Sequence, residues 1–189
     1  MTEIHPVLRS RTSGIAFSGK PPTSEQLETM LEAFRWGPSS ANKQPWRILV
    51  VRSPEAHKKF DDALSDNNKK WATEAPVKMV IIGNPEEQPP RFGQDRWLLD
   101  VGLALENMLI QGCELGLTAH AMAGWDEEKV RANFDIPDPY RVAALFGVGE
   151  PGKVEDLSEE MQAKANRPSV RKLPEEIFFF DEFGAPGKP

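Results

Sequence analysis

The stretch from Trp97 to Leu115 limits what this chain can become more than any other feature. It is strongly apolar at helical spacing and ends at Gly116, a natural C-cap, so it reads as a central, largely buried helix around which the rest of the chain must wrap. Asp100, Asn107, Gln111 and Glu114 fall on a single stripe of that helix. With 189 residues available, the chain can build one substantial core and is short for two, which predicts a single domain over 1–189.

Around that helix the remaining signals alternate. Thr23 and Gln26 form a capping box, and Leu27, Met30, Leu31 and Phe34 recur at helical spacing until Gly37-Pro38 stops the run. Trp46–Val51 and Val77–Ile82 read as strands, with a helix between them that starts at Ser53-Pro54 and carries Phe60 and Leu64. A short strand over Thr118–Met122, a helix opening at Asp126, a strand over Val142–Val148 and a charged helix over Leu157–Ala165 follow. Asn84–Gln94 holds three prolines and reads as a surface loop beside a site. Ile177-Phe178-Phe179-Phe180 must be covered by something, since an exposed run of that kind invites aggregation.

Charge and composition exclude several function classes. A net charge of -6 is the wrong sign for a nucleic-acid footprint or a polybasic membrane surface, and a small-molecule acceptor is the better expectation. Cys113 is the only cysteine, so no internal disulfide forms and a reducing compartment is expected. His5, His57 and His120 are scattered, without ligand spacing for a metal. The opening residues lack a signal-peptide pattern and no stretch suits a bilayer span, so the expected location is the cytoplasm.

Gly147-Val148-Gly149-Glu150-Pro151-Gly152 matches a dinucleotide-binding fingerprint letter for letter. It is rejected on physical grounds: Pro151 has no N–H where the pyrophosphate needs one, and little chain remains for a βαβ unit. Two N-terminal segments carry more. Leu8-Arg9-Ser10-Arg11-Thr12-Ser13-Gly14-Ile15-Ala16-Phe17 joins a planar guanidinium fork to hydroxyls, the makings of a phosphate cradle. Trp36-Gly37-Pro38-Ser39-Ser40-Ala41-Asn42-Lys43-Gln44-Pro45-Trp46 combines rigid small residues, which let backbone approach a flat ring, with amides that both donate and accept. On composition alone, solvated arginines and a plain helix-to-strand connection would explain both segments.

Taken together, these segments resemble the nitroreductase family of FMN enzymes, whose members open with an Arg/Ser-rich turn ending in Phe and continue after one helix with Pro-Ser-x-x-Asn-x-Gln-Pro-Trp. Asp100-Val101-Gly102-Leu103-Ala104, Asn107-Met108-Leu109 and Gly116-Leu117 resemble the family's central helix, and Phe146-Gly147-Val148-Gly149-Glu150-Pro151 its Gly-x-Pro strand end. The resemblance implies an α+β fold with a central mixed or antiparallel sheet flanked by helices. It also implies a homodimer with two shared FMN sites, in which the 175–189 extension adds a strand to the partner and buries Phe178–Phe180.

By the same resemblance, Arg11, Thr12 and Ser13 meet the flavin phosphate and ribityl chain, joined by Arg171 or Lys172, with Arg167 in reserve. Pro38, Ser39 and Asn42 line the ring, Asn68 reaches its edge, and Met122, Ala123 and Gly124 approach through backbone groups. Ile15 stands where many members have a second basic residue, and Trp71 near where some have a lysine, so the phosphate grip is expected to shift toward the C-terminal cations. Pro89-Pro90-Arg91-Phe92 lies in a region that often shapes the substrate pocket. The implied activity is reduction of an electron-poor acceptor, a nitroaromatic or quinone, by NAD(P)H in a ping-pong cycle, with no protein residue as obligatory acid or base. Rival expectations are a flavin store or sensor without nicotinamide turnover, a reductive dehalogenase, and a flavin-fragmenting enzyme.

Overall fold

A computed structural model describes residues 3–185. The strand signals become β1 Trp46–Val51, β2 Val77–Gly83, β3 Thr118–Met122 and β4 Arg141–Gly149. They form one sheet in the order β1-β2-β4-β3, with every neighbouring pair antiparallel. Between the two sheet types that were expected, the antiparallel one is found.

Strands β2 and β4 occupy the centre and are buried on both faces, which is why Val77–Ile82 reads as a continuous apolar run instead of alternating with polar residues. The period of two still sorts the side chains. Met79, Ile81, Phe146 and Val148 face Met30 and Phe34 of α2 (Ser24–Arg35) and Val101, Ala104 and Met108 of α5 (Arg96–Glu114). Val80, Ile82 and Leu145 face the opposite core, closed by Phe60, Trp71, Val130 and Met161. These come from α3 (Pro54–Asp62), α4 (Asp66–Ala72), α6 (Glu127–Asn133) and α7 (Glu159–Ala165). Lys78 is the buried exception. Its ammonium donates to Asp61 Oδ1 at 2.6 Å and to the Thr73 carbonyl at 3.0 Å, which satisfies the charge it brings inside.

The expected caps are present. Thr23 and Gln26 make the reciprocal capping box of α2, and Ser53, Asp126 and Ser158 cap α3, α6 and α7 with their side chains. The last of these helices begins at Glu159 and not at Leu157, because Val154–Asp156 forms a separate 3-10 turn first. Two short helices escaped the sequence reading, α1 (Pro6–Ser10) and α4. Both are too short to show an apolar period.

The polar stripe on α5 has a structural task. Asp100 is buried with its carboxylate accepting the Ser40 N–H at 3.2 Å, and Asn107 Nδ2 donates to the Ala33 carbonyl at 3.3 Å. These side chains serve backbone groups of a neighbouring loop and of α2, so they point inward, while Leu98, Leu99 and Leu103 are left exposed.

After the 3-10 turn Pro174–Glu176, no strand forms among the described residues of the C-terminal segment. No strand among the described residues pairs with it. Phe178 and Phe183 are exposed, and the half-buried Phe179 ring lies 4.9 Å from that of Phe183. Residues 186–189 of the expected extension lie outside the described residues. Among the described residues no helix is long and apolar enough to cross a membrane.

Candidate active site

The N-terminal turn is held from two sides. Helix α1 ends where the Arg11 N–H donates to Val7 O at 3.0 Å, and the chain then runs extended past β3 to Phe17, which bridges to Pro151. His120 of β3 bonds the Gly14 carbonyl through Nδ1 at 3.1 Å. A carbonyl only accepts, so Nδ1 carries the proton and the neutral ring keeps Nε2 as an acceptor. Burial pushes His120 below its ordinary value; the bond to Gly14 opposes the shift, and the charges of Lys164 and Arg11 reinforce it. A neutral imidazole therefore braces the turn.

In front of that turn lies a cavity of about 560 Å³. Among the described residues four cations line it, Arg11, Lys164, Arg167 and Arg171, together with hydroxyl residues such as Thr12, Ser13 and Ser169, and no carboxylate does. The nearest countercharge is Glu106 of α5, 3.8 Å from Arg11 Nε. Such a wall suits a doubly charged phosphate, which takes charge-assisted bonds from guanidinium forks and hydroxyls together. Of the residues expected here, Arg11, Thr12, Ser13, Arg171 and the reserve Arg167 are thus brought together. Lys172 is exposed and does not line the cavity.

Lys164 and His120 are additions that the sequence did not reveal. Both touch Trp71: its ring lies 4.4 Å from that of His120, and Lys164 Nζ sits 5.4 Å from the indole centre. Trp71 is 1% exposed, and its indole N–H finds no partner among the described residues. A tryptophan therefore stands as the buried backing of the cavity wall.

One turn before Trp71 on α4, Asn68 donates from Nδ2 to the Gly124 carbonyl at 2.9 Å, and Ser65 N–H meets the same oxygen at 3.1 Å. A Cβ at Gly124 would stand 2.5 Å from Ser65 Oγ and 2.9 Å from Asn68 Nδ2, so a larger residue there would displace the Asn68 amide or the Ser65 hydroxyl. Asn68 Oδ1 makes no bond within the described chain and stays available as an acceptor. Met122 beside it is buried in the core, so only its backbone can face a ligand, while Ala123 is exposed.

Pro38, Ser39 and Asn42 lie elsewhere, at the N-terminal end of α5. The loop is tied down by Ser40 N–H to Asp100, by Gln44 N–H to Ser39 Oγ at 3.0 Å, and by Gln44 Nε2 to Asn42 Oδ1 at 3.1 Å. Ala41, Asn42 and Gln44 all take positive φ, at 52°, 54° and 49°. Three such residues in four positions cost of order 1–3 kcal/mol each, and strain of this kind gathers where a loop must present its backbone in one fixed way. Gly37 permits the placement, since a Cβ there would lie 2.5 Å from Ala104 Cα on α5. Ser40 meets α5 at Asp100, and Ser10, next to Arg11, meets it at Cys113 (Oγ to Sγ 3.4 Å). Thirteen residues of helix separate those points, about 20 Å of axis. Within one chain the two motifs line separate cavities.

The rejected glycine fingerprint runs through the end of β4, and no helix opens on it: Glu150 and Gly152 bond instead to Ser18, Lys20 and Ala16.

The profile of the Nitroreductase family matches residues 8–79 and 64–150, and the chain belongs to that family. A protein of Burkholderia lata with the provisional name NADH dehydrogenase/NAD(P)H nitroreductase is 32% identical over 162 residues, covering 75% of this chain and 82% of its own. A crystal structure described as an oxidoreductase containing FMN superposes with a TM-score of 0.85 at 28% identity, across 98% of this chain and 95% of that one. A nitroreductase family protein from Clostridium novyi NT, at 24% identity and a TM-score of 0.74 over 97% of this chain and 96% of its own, agrees in fold. The α+β architecture expected from the two N-terminal motifs is the one found.

Proposed function

We propose that the protein is an FMN-dependent NAD(P)H oxidoreductase that works as a homodimer. The observation that carries this reading is the cavity in front of Arg11–Ser13, with four cations, hydroxyls and no carboxylate on its wall. Arg11, Arg171, Arg167 and Lys164 hold the phosphate there, and Thr12 and Ser13 meet the phosphate and ribityl chain. Asn68 Oδ1 and the backbone of Met122, Ala123 and Gly124 face the ring edge. Pro38, Ser39 and Asn42 of a second copy close the other side, because in one chain none of them reaches the cationic cavity and their neighbours Ser40 and Ala41 line another.

When bound, FMN supplies two-electron redox chemistry between NAD(P)H and an electron-poor acceptor such as a nitroaromatic or quinone. The donor leaves before the acceptor enters, which makes the cycle ping-pong. The protein's part is to bind, orient and exclude water. No side chain at the site is placed as a general acid or base; His120 is committed to Gly14 and held neutral.

Two features favour a dimer: the exposed leucines of α5 and the uncovered Phe178 and Phe183 are the apolar surfaces a second copy would bury. Purified protein should be yellow, and anaerobic mixing with NADH or NADPH should bleach it. A colourless preparation that takes up no added FMN would overturn the reading. Tight flavin binding without bleaching by either nicotinamide would replace it with a flavin store.

A further inference from the structure

Beside the strained Ser39–Gln44 loop lies a second cavity, of about 300 Å³, between that loop and the segment before α5. Its polar wall consists of Gln88, Arg91 and Arg96 with Ser40, and its apolar wall of Ala41, Pro89 and Pro90. No carboxylate lines it, and among the described residues neither arginine has an acidic side chain within 4.0 Å. Two acids on the neighbouring segments are engaged elsewhere: Asp100 accepts from Ser40 N–H, and Glu87 pairs with Arg47 at 2.8 Å.

Gln88 makes the cavity more than a charged patch. It is 7% exposed, yet its side-chain amide bonds to nothing in the described chain; only its backbone N–H is used, toward Asn84 O at 3.4 Å. The side-chain atoms sealed from solvent without a partner among the described residues are Trp71 Nε1 and Arg131 Nε, so the Gln88 amide opens onto the cavity with its donors and acceptor free for a ligand. Arg96 Nη2 donates to Ser40 Oγ at 3.4 Å, which steadies the guanidinium and leaves its other N–H groups free. Arg91 is fixed by a tight turn: it exchanges backbone bonds with Gln94 at 3.1 and 3.2 Å across Phe92 and Gly93, both at positive φ. The strain of a left-handed phenylalanine is spent on presenting a ring that is 88% exposed, 5.1 Å from the Arg91 guanidinium.

We propose that this cavity receives the carboxylate of an aromatic acceptor, bound by Arg91, Arg96 and the Gln88 amide, with the substrate ring lying along Pro89, Pro90 and Phe92. Two guanidinium forks and an amide donor match the two oxygens of a carboxylate, and the same wall repels a cationic acceptor. The inference rests on the flavin reading above, since the acceptor must meet the ring that Ser39 and Asn42 line. In each turnover Ar–NO2, NAD(P)H and a proton give Ar–N=O, NAD(P)+ and water. The carboxylate anchors the substrate and takes no part.

Calorimetry with benzoate and benzamide, which share a shape and are not reduced, tests binding apart from turnover. Benzoate should bind the flavin-loaded dimer more tightly than benzamide, and Arg96→Gln and Arg91→Gln should each weaken benzoate on the order of tenfold while leaving benzamide nearly unchanged. In turnover, kcat/KM for para-nitrobenzoate should exceed that for para-nitrobenzamide and fall selectively in the same variants. Benzoate binding no better than benzamide, or variants that weaken both alike, would overturn the carboxylate assignment while leaving the oxidoreductase reading intact. Selective benzoate binding without nicotinamide turnover would do the reverse.

Discussion

Lys164 Nζ lies 5.4 Å from the centre of the Trp71 ring, and the same lysine lines the cationic cavity. Ile15 and Trp71 occupy the two positions where the resemblance placed basic residues, and both are buried in one core cluster. On the proposed phosphate site, a cation delivered from α7 across the indole would supply charge that those two positions lack. Lys164→Gln should weaken FMN on the order of tenfold and leave riboflavin, which has no phosphate, almost unaffected. Flavin fluorescence titrations with both ligands read the ratio. An unchanged ratio would remove Lys164 from the phosphate site.

Arg11 offers the complementary comparison. It is the only cation of the cavity wall carried by the N-terminal turn itself, and its approach to Glu106, at 3.8 Å, is too loose to hold it away from a phosphate. Arg11→Ala should cost more FMN affinity than Lys164→Gln, again with little effect on riboflavin, and the loss should deepen as salt is lowered and screening weakens. Equal FMN affinity in wild type and variant would mean that the turn does not hold the phosphate.

His120 gives the fold a pH dependence whose sign follows from its burial. Its folded value lies below the ordinary 6.5, so as pH falls the unfolded chain takes up the proton first. The contribution to stability is present above that unfolded value and is lost as pH drops below it. His57, also lowered by burial, acts in the same direction, so a His120 variant should flatten the dependence without abolishing it. Thermal melts between about pH 7.5 and 5.5 of wild type and His120→Gln make the comparison. Parallel curves would show that His120 does not titrate as its surroundings require.

What the sequence disclosed and what it hid divide along a physical line. Thr23 with Gln26, the doubly buried run Val77–Ile82 and the apolar Trp97–Leu115 each declare themselves through local pattern, and the helices and strands follow. The cationic cavity wall was half legible, because Arg11 and Ser13 sit in one motif, whereas Lys164 is a single lysine on a charged helix that meets them only through the tertiary fold. His120 is equally mute in sequence, since nothing near it announces a bond to Gly14 more than a hundred residues away. The α5 stripe was legible as a stripe but not in its purpose, because the backbone groups that Asp100 and Asn107 serve, on Ser40 and Ala33, lie 60 and 74 residues away in sequence.

Gly37 should prove intolerant of the smallest change. A Cβ at that position would stand 2.5 Å from both Cα and Cβ of Ala104, and backbone on a packed helix cannot yield as a flexible side-chain tip could. Gly37→Ala should destabilise the protein by about 1–3 kcal/mol and push the Pro38–Asn42 loop off its place. A lower Tm should therefore be accompanied by weaker flavin binding. A variant with wild-type Tm and affinity would mean that α2 and α5 are free to separate there.

The C-terminal segment tests the dimer most directly. In one chain Leu173, Ile177, Phe178 and Phe183 are exposed, as are Leu98, Leu99 and Leu103 on α5, so the tail and the central helix both offer apolar surface that the single fold leaves uncovered. Ending the chain after Pro174 removes the phenylalanines but leaves Arg167 and Arg171 in the cavity wall, so any loss of FMN would come from the lost partner and not from lost phosphate ligands. Sedimentation should show a shift toward monomer, with flavin content falling in step, because the second copy's Pro38, Ser39 and Asn42 would no longer close the ring site. Leu99→Asp should do the same without shortening the chain, by placing an unpaired charge in the interface. If the truncated chain were a stable monomer that kept its FMN, each subunit would be holding its flavin alone, and the shared site would have to be abandoned.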